Sequence, residues 1–168
     1  VSTYLTRANA LPTLEKNQAF PQSYSDSRLI DNKLYLILSS YADSVDANNK
    51  TVKGMACSCV VRPFTGKPDL RLTSVIALDV TQLDQNIDMV AVLGGGDAIY
   101  ATSKNLYVTS SNFQTSVETQ ISKIAFKTGK QKMQLVAKGS IPGYAKDQWA
   151  FKELMDSDTL AVTTSGRA

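Results

Sequence analysis

The sequence contains no histidine. That absence removes Ser-His-Asp and Cys-His catalysis from within the chain, and with them the commonest zinc ligand. Cysteine is scarce, with Cys57 and Cys59 the only two. A structural zinc site wants four ligands, and a multi-bridge disulfide framework wants more thiols than this. No apolar run reaches the ~18 residues of a membrane helix, so no membrane span is expected. Eighteen Lys and Arg stand against fifteen Asp and Glu, for a net charge of +3, and the basic residues are scattered. A nucleic-acid binder shows a basic stripe, so no nucleic-acid partner is expected. The chain opens at Val1 with neither an initiator Met nor a basic, apolar leader. That opening fits a processed protein or an excised fragment and is no sign of cytoplasmic residence. No window carries a helical stripe. The best candidate, 80–85, is short and reads as a loop.

What is present is ordinary globular material, 43% hydrophobic and 20% charged, over 168 residues that suit one domain. Strand signals dominate. Leu34-Tyr35-Leu36-Ile37-Leu38 follows the turn pair Asp31-Asn32, and 74–80 is a second apolar run. Asp88-Met89-Val90-Ala91-Val92-Leu93 stops at Gly94-Gly95-Gly96. Ala98-Ile99-Tyr100-Ala101 and Asn105-Leu106-Tyr107-Val108-Thr109 flank a short polar link. Strands are expected again over 121–127, 132–138, 148–153 and 159–164. Many short strands with closely spaced turns imply an all-β sandwich, barrel or propeller.

Internal repetition chooses among these. Leu34-Tyr35-Leu36 recurs as Leu106-Tyr107-Val108 and, more weakly, as Leu160-Ala161-Val162. Val75-Ile76-Ala77 recurs as Lys123-Ile124-Ala125, and each copy leads into a strand that ends in glycine. A repeat of ~45–50 residues with four strands has the size of a propeller blade. The first repeat is longer because 41–69 are inserted. The expected fold is therefore all-β, a partial β-propeller of about two complete four-stranded blades plus edge strands of the flanking blades. Blade one spans about 27–94, with strands at 27–30, 33–40, 69–80 and 86–93. Blade two spans about 97–140, with strands at 97–102, 105–110, 119–126 and 131–140. A third blade begins over 147–164, and 11–20 form the outermost strand of the blade before. A ring closes with at least four blades. The expected partners therefore include the remaining blades of a longer protein or other copies.

The stretch Phe20-Pro21-Gln22-Ser23-Tyr24-Ser25-Asp26-Ser27-Arg28-Leu29-Ile30, with Lys33-Leu34-Tyr35-Leu36 after it, carries a further signal. It resembles a signature of secreted bacterial and archaeal proteins with a C-terminal β-propeller domain distantly related to WD40 repeats. The resemblance continues at Ala56-Cys57, Val60 and Pro63, then at Gly94, Tyr100, Ala101 and 105–108. It ends at Ile141-Pro142-Gly143-Tyr144, Gln148-Trp149 and Ala161-Val162-Thr163-Thr164, covering about 11–165. Trp149 departs from the pattern, where the family tends to have Phe. The resemblance implies a secreted, periplasmic or cell-surface propeller and implies no activity.

Several residues invite chemical readings. In an extended segment Cys57 and Cys59 place both sulfurs on one face. They read as a metal or redox pair, a strained mutual disulfide, thiols paired elsewhere, or two buried thiols. Asp43, Asp46 and Asn48 have oxygen ligands at a spacing that could hold calcium, without the order of an EF-hand loop; a solvated loop is the plainer reading. No other cofactor is implied. Gly94-Gly95-Gly96 lacks the Lys and following helix of a phosphate loop and reads as a tight passage between blades. Tyr144, Trp149 and Phe151 read either as a carbohydrate-stacking platform or as packing. Asp156 and Asp158 read as turn residues. Asp97, Asp147 and Glu153 are the carboxylates that inner strands would offer to a channel. The leading expectation is an extracellular binding or scaffolding module for a protein or glycan. The alternatives are a carboxylate-dependent glycan hydrolase and an adhesive protein that assembles through open blade edges.

Overall fold

The structure is a computed structural model that describes residues 1–5, 9–41, 51–52, 55–56, 60–61, 70–83, 88–112, 117–126, 132–154 and 159–166. In chain order the strands begin with β1 (Ser2–Leu5), β2 (Thr13–Asn17), β3 (Ser23–Ile30) and β4 (Lys33–Tyr41). Short strands β5 (Thr51–Val52), β6 (Met55–Ala56) and β7 (Val60–Val61) follow, then β8 (Arg71–Asp79) and β9 (Asp88–Leu93). The next four are β10 (Ile99–Ala101), β11 (Asn105–Asn112), β12 (Glu118–Ala125) and β13 (Gln134–Pro142). A 3-10 turn, Gln148–Ala150, precedes β14 (Phe151–Glu153) and β15 (Leu160–Val162).

These strands pair into a first sheet β3-β4-β8-β9-β7 and a second sheet β10-β11-β12-β13. Hairpins β1-β2, β5-β6 and β14-β15 form two-stranded sheets of their own. Sequential neighbours within both large sheets run antiparallel, while β7 adds to β9 in parallel. That fifth strand comes from the inserted segment and is two residues long, too short to leave a periodic signal.

The apolar runs are explained by burial on both faces. In β4, Tyr35, Leu36, Ile37 and Leu38 are each 3% exposed or less. Side chains alternate along a strand, so Tyr35 and Ile37 face one way and Leu36 and Leu38 the other. Tyr35 and Ile37 join Val75, Val90 and Val92 against Leu106, Val108, Ile124 and Met133 of the second sheet. Leu36 and Leu38 pack with Ile76 and Phe20 on the opposite face. The second sheet repeats the pattern. Its far face sets Ala98, Tyr100 and Ile121 against Phe151, Leu160 and Val162 of the β14-β15 hairpin. The molecule is thus a stack of sheets with a separate apolar layer at each boundary. Each fully buried aliphatic side chain contributes about 1.5–3 kcal/mol.

Specific contacts fix the first boundary. The Tyr35 and Phe126 rings stack with centroids 4.0 Å apart. Asp88 Oδ2 accepts from the Met133 N–H at 2.5 Å, and Arg71 pairs with Asp97 at 2.8 Å. Burial, then the Asp88 and Asp31 carboxylates, pushes the Tyr35 phenol above its ordinary value.

The chain passes from β9 to β10 through Gly94-Gly95-Gly96, with Gly94 at φ 79° and Gly96 at φ 110°. A Cβ on Gly95 would lie 2.7 Å from Val108 Cγ1. Positive φ and lack of space thus both require glycine here. The passage from β13 to the next hairpin repeats the device: Gly143 stands at φ 89°, and two residues on Ala145 is buried, as Ala98 is after Gly96.

The expected strand over 148–153 is half a strand. Residues Gln148–Ala150 coil into the 3-10 turn because the Asp147 carboxylate accepts from the Trp149 N–H, capping it as an Asp before a helix does.

Candidate functional site

The strands β3, β10 and β14 open their respective sheets and lie along one side of the stack. On β3 a bulge between Tyr24 and Asp26 turns the Asp26 carboxylate along its own strand. Asp26 Oδ1 accepts from the Ser27 N–H at 2.7 Å and from Arg28 Nη1 at 2.6 Å. Arg28 Nη1 also donates to the Ser27 carbonyl at 2.7 Å. The guanidinium is thereby held in place, and its Nη2 donates across 3.1 Å to Gln148 Oε1. This contact joins the first strand of the first sheet to the turn before the third, 120 residues away.

Beside Gln148 stands Trp149, 85% exposed on a turn whose backbone is fixed by the Asp147 cap. Tyr24, 65% exposed, shares a hydrogen bond with the Ser27 hydroxyl on the other face of β3, the face of Leu36 and Leu38. The patch therefore combines an exposed indole with a fixed guanidinium and a carboxylate. Phe151 points away into the packing against the second sheet, and Tyr144 is tied to Ser165 through a backbone bridge. The three aromatics read together in the sequence do not form one platform. Trp149 alone is offered to solvent to this degree.

A second polar cluster lies behind the β14-β15 hairpin. Glu153 Oε1 accepts from Asn105 Nδ2 and from the Tyr107 hydroxyl, each at 2.6 Å. Lys123 Nζ lies 3.4 Å from the same oxygen and 5.7 Å from the centre of the Tyr107 ring. The Tyr100 hydroxyl accepts from the Glu153 N–H at 3.1 Å. Burial pushes the Glu153 carboxyl up, but hydrogen bonds from Tyr107, Thr102, Asn105 and Lys123 outweigh it and hold the carboxyl below its ordinary range. Glu153 is thus kept as an anion that ties the hairpin to the second sheet.

The three carboxylates expected near a channel each have a structural task. Asp97 bonds Arg71 and accepts from the Ser111 N–H at 2.5 Å, Asp147 caps the turn, and Glu153 anchors its cluster. Asp43, Asp46, Asn48, Cys57, Cys59, Asp156 and Asp158 lie outside the described residues. Sequence reasoning gave no role to Arg28 beyond the family signature, nor to Asn105, Tyr107 and Lys123. Their partners lie 30 to 120 residues away, and no local spacing announces such pairs.

A family model described as a beta propeller domain matches residues 1–167. The chain belongs to that family. No curated protein and no solved structure matches it. In this β-propeller chain the two large sheets are blades, the first widened by β7, and the end hairpins are parts of flanking blades. The blade-opening strands β3, β10 and β14 are those that face the ring axis in this architecture.

Proposed function

We propose that this propeller segment is an extracellular or cell-surface binding module, and that the patch around Trp149 meets its ligand. The observation that carries the reading is a rigidly mounted indole at 85% exposure beside the Arg28–Gln148 bridge. Exposed large aromatics next to arginine are the residue types that dominate binding energy at interfaces. The engagement of Asp97, Asp147 and Glu153 favours binding over hydrolysis. A general acid must carry a proton, and Glu153 is held ionised. A protein or a glycan ligand fits an indole flanked by hydrogen-bonding groups. The secreted setting rests on the likeness of the 20–36 segment to secreted propellers.

The test is a paired screen of the chain against an oligosaccharide array and a displayed peptide library. The expected result is a binder in one arm whose affinity falls about tenfold or more in Trp149→Ala and Arg28→Ala, as for an interface hot spot. Binders that ignore both substitutions, or none in either arm, would overturn the reading.

A further inference from the structure

We infer that the patch around Trp149 takes an uncharged sugar ring, with the apolar C–H face of the ring stacked on the indole and its hydroxyls shared among Asp26, Arg28 and Gln148. This rests on the binding role proposed for the patch and names the class of its ligand.

The turn sets what the indole can meet. A 3-10 turn has three residues per turn, so successive side chains point about 120° apart. Gln148 points to Arg28, and Ala150 packs into the apolar layer against the second blade. Trp149 takes the third direction, clear of both, and is 85% exposed. The indole stands ahead of β14, at the leading end of that strand. A blade stacked after β14-β15 lies on Lys152 and Ala161, which face away from Phe151 and Val162.

The polar neighbours are only partly engaged. Arginine donates and never accepts, so the Gln148 carbonyl oxygen faces Arg28 and the amide nitrogen points elsewhere. Among the described residues that nitrogen has no partner. Asp26 uses Oδ1 twice, for the Ser27 N–H and for Arg28 Nη1, and its Oδ2 has no partner among the described residues. Arg28 Nη1 is filled by Asp26 and the Ser27 carbonyl, while Nη2 keeps one N–H after Gln148. The Arg28 and Asp26 side chains are each 34% exposed, so both reach solvent.

A ligand here must donate to a carboxylate oxygen and accept from amide and guanidinium N–H groups. A hydroxyl does both, whereas an ionised carboxylate, sulfate or phosphate only accepts. Asp26 and Arg28 lie 2.6 Å apart and cancel in charge, so the pair gives an anion no net attraction and turns Asp26 Oδ2 against it. The apolar part of the patch is one flat ring edged by polar groups. A protein partner of standard size covers about 800 Å² per side around a clustered apolar centre, far more than one indole among Asp, Arg and Gln. A pyranose has the matching outline, with one face of C–H bonds and a rim of hydroxyls, and an amphipathic aromatic suits it.

The test is titration of the chain with short neutral oligomers of glucose, mannose and N-acetylglucosamine, followed by calorimetry and by Trp149 emission. Oligogalacturonate and a sulfated oligosaccharide form the anionic set, and a displayed peptide library the third. At least one neutral oligomer should bind, about tenfold or more tighter than any anionic one, and shift the emission to the blue. Trp149→Ala should weaken it about tenfold or more, and Trp149→Phe, which keeps a ring, should recover part of the loss. Gln148→Glu, which turns two donors into an acceptor, should weaken it about fivefold, with the circular dichroism spectrum kept. Anionic oligomers or peptides that bind at Trp149 as tightly as neutral ones, or a neutral ligand that ignores Trp149→Ala, would overturn the inference and leave a binding module. No ligand in any set would overturn both.

Discussion

The Tyr107 hydroxyl donates to Glu153 Oε1 at 2.6 Å, across the boundary between the second blade and the hairpin that follows it. The bond is charge-assisted, and Asn105 and Lys123 share the same oxygen. A hydrogen bond to a charged group contributes about 1.5–3 kcal/mol. Tyr107→Phe should lower stability to urea by about that much.

The same carboxylate sets an acid limb. Its folded value lies below the ordinary glutamate value of 4.5. The stabilisation is therefore complete above the unfolded value and is lost as pH falls through the folded one. Glu153→Gln should be less stable at neutral pH and show a flatter decline below about pH 4.5. Urea midpoints across pH, followed by circular dichroism, measure both effects.

Glycine substitutions should separate two environments, the passage after β9 and the exposed interior of β13. Gly95→Ala forces a Cβ into Val108 and should cost about 1–3 kcal/mol as overpacking. Gly139→Ala enters open space and should leave stability unchanged or raise it by up to about 1 kcal/mol. Equal losses at both positions would contradict the packing described.

The boundary between the two blades should be the most sensitive layer. Ile124 is fully buried among side chains from both. Ile124→Ala should cost about 2–5 kcal/mol, depending on how far the cavity collapses. Thermal or urea unfolding of that variant checks it.

Trp149→Ala should move the urea midpoint by no more than about 0.5 kcal/mol, as an exposed substitution does. Loss of binding without loss of stability would mark the side chain as one that serves a ligand. A large loss of stability would instead show that it packs.

The fold was legible where burial is two-sided and repeated. Leu34-Tyr35-Leu36 and Leu106-Tyr107-Val108 read as strands because both faces of each are covered, which leaves no polar position to break the run. The glycine passage was legible because positive φ excludes most other residues. The turn at Gln148–Ala150 was not, because Trp149 and Phe151 are strong strand formers and one Asp cap overrides them. Glu153 was legible as an inner-strand carboxylate but not as an anchor. Its partners arrive only when the next blade has folded beside it.

Trp149 is the sole tryptophan of the chain, and it is mounted on the outside. The native protein should therefore already emit in the near-ultraviolet like an indole in water. Denaturation will barely move that band, so fluorescence is a blind reporter of folding here. A blue shift in a solution of the native protein would instead signal that something has covered the patch.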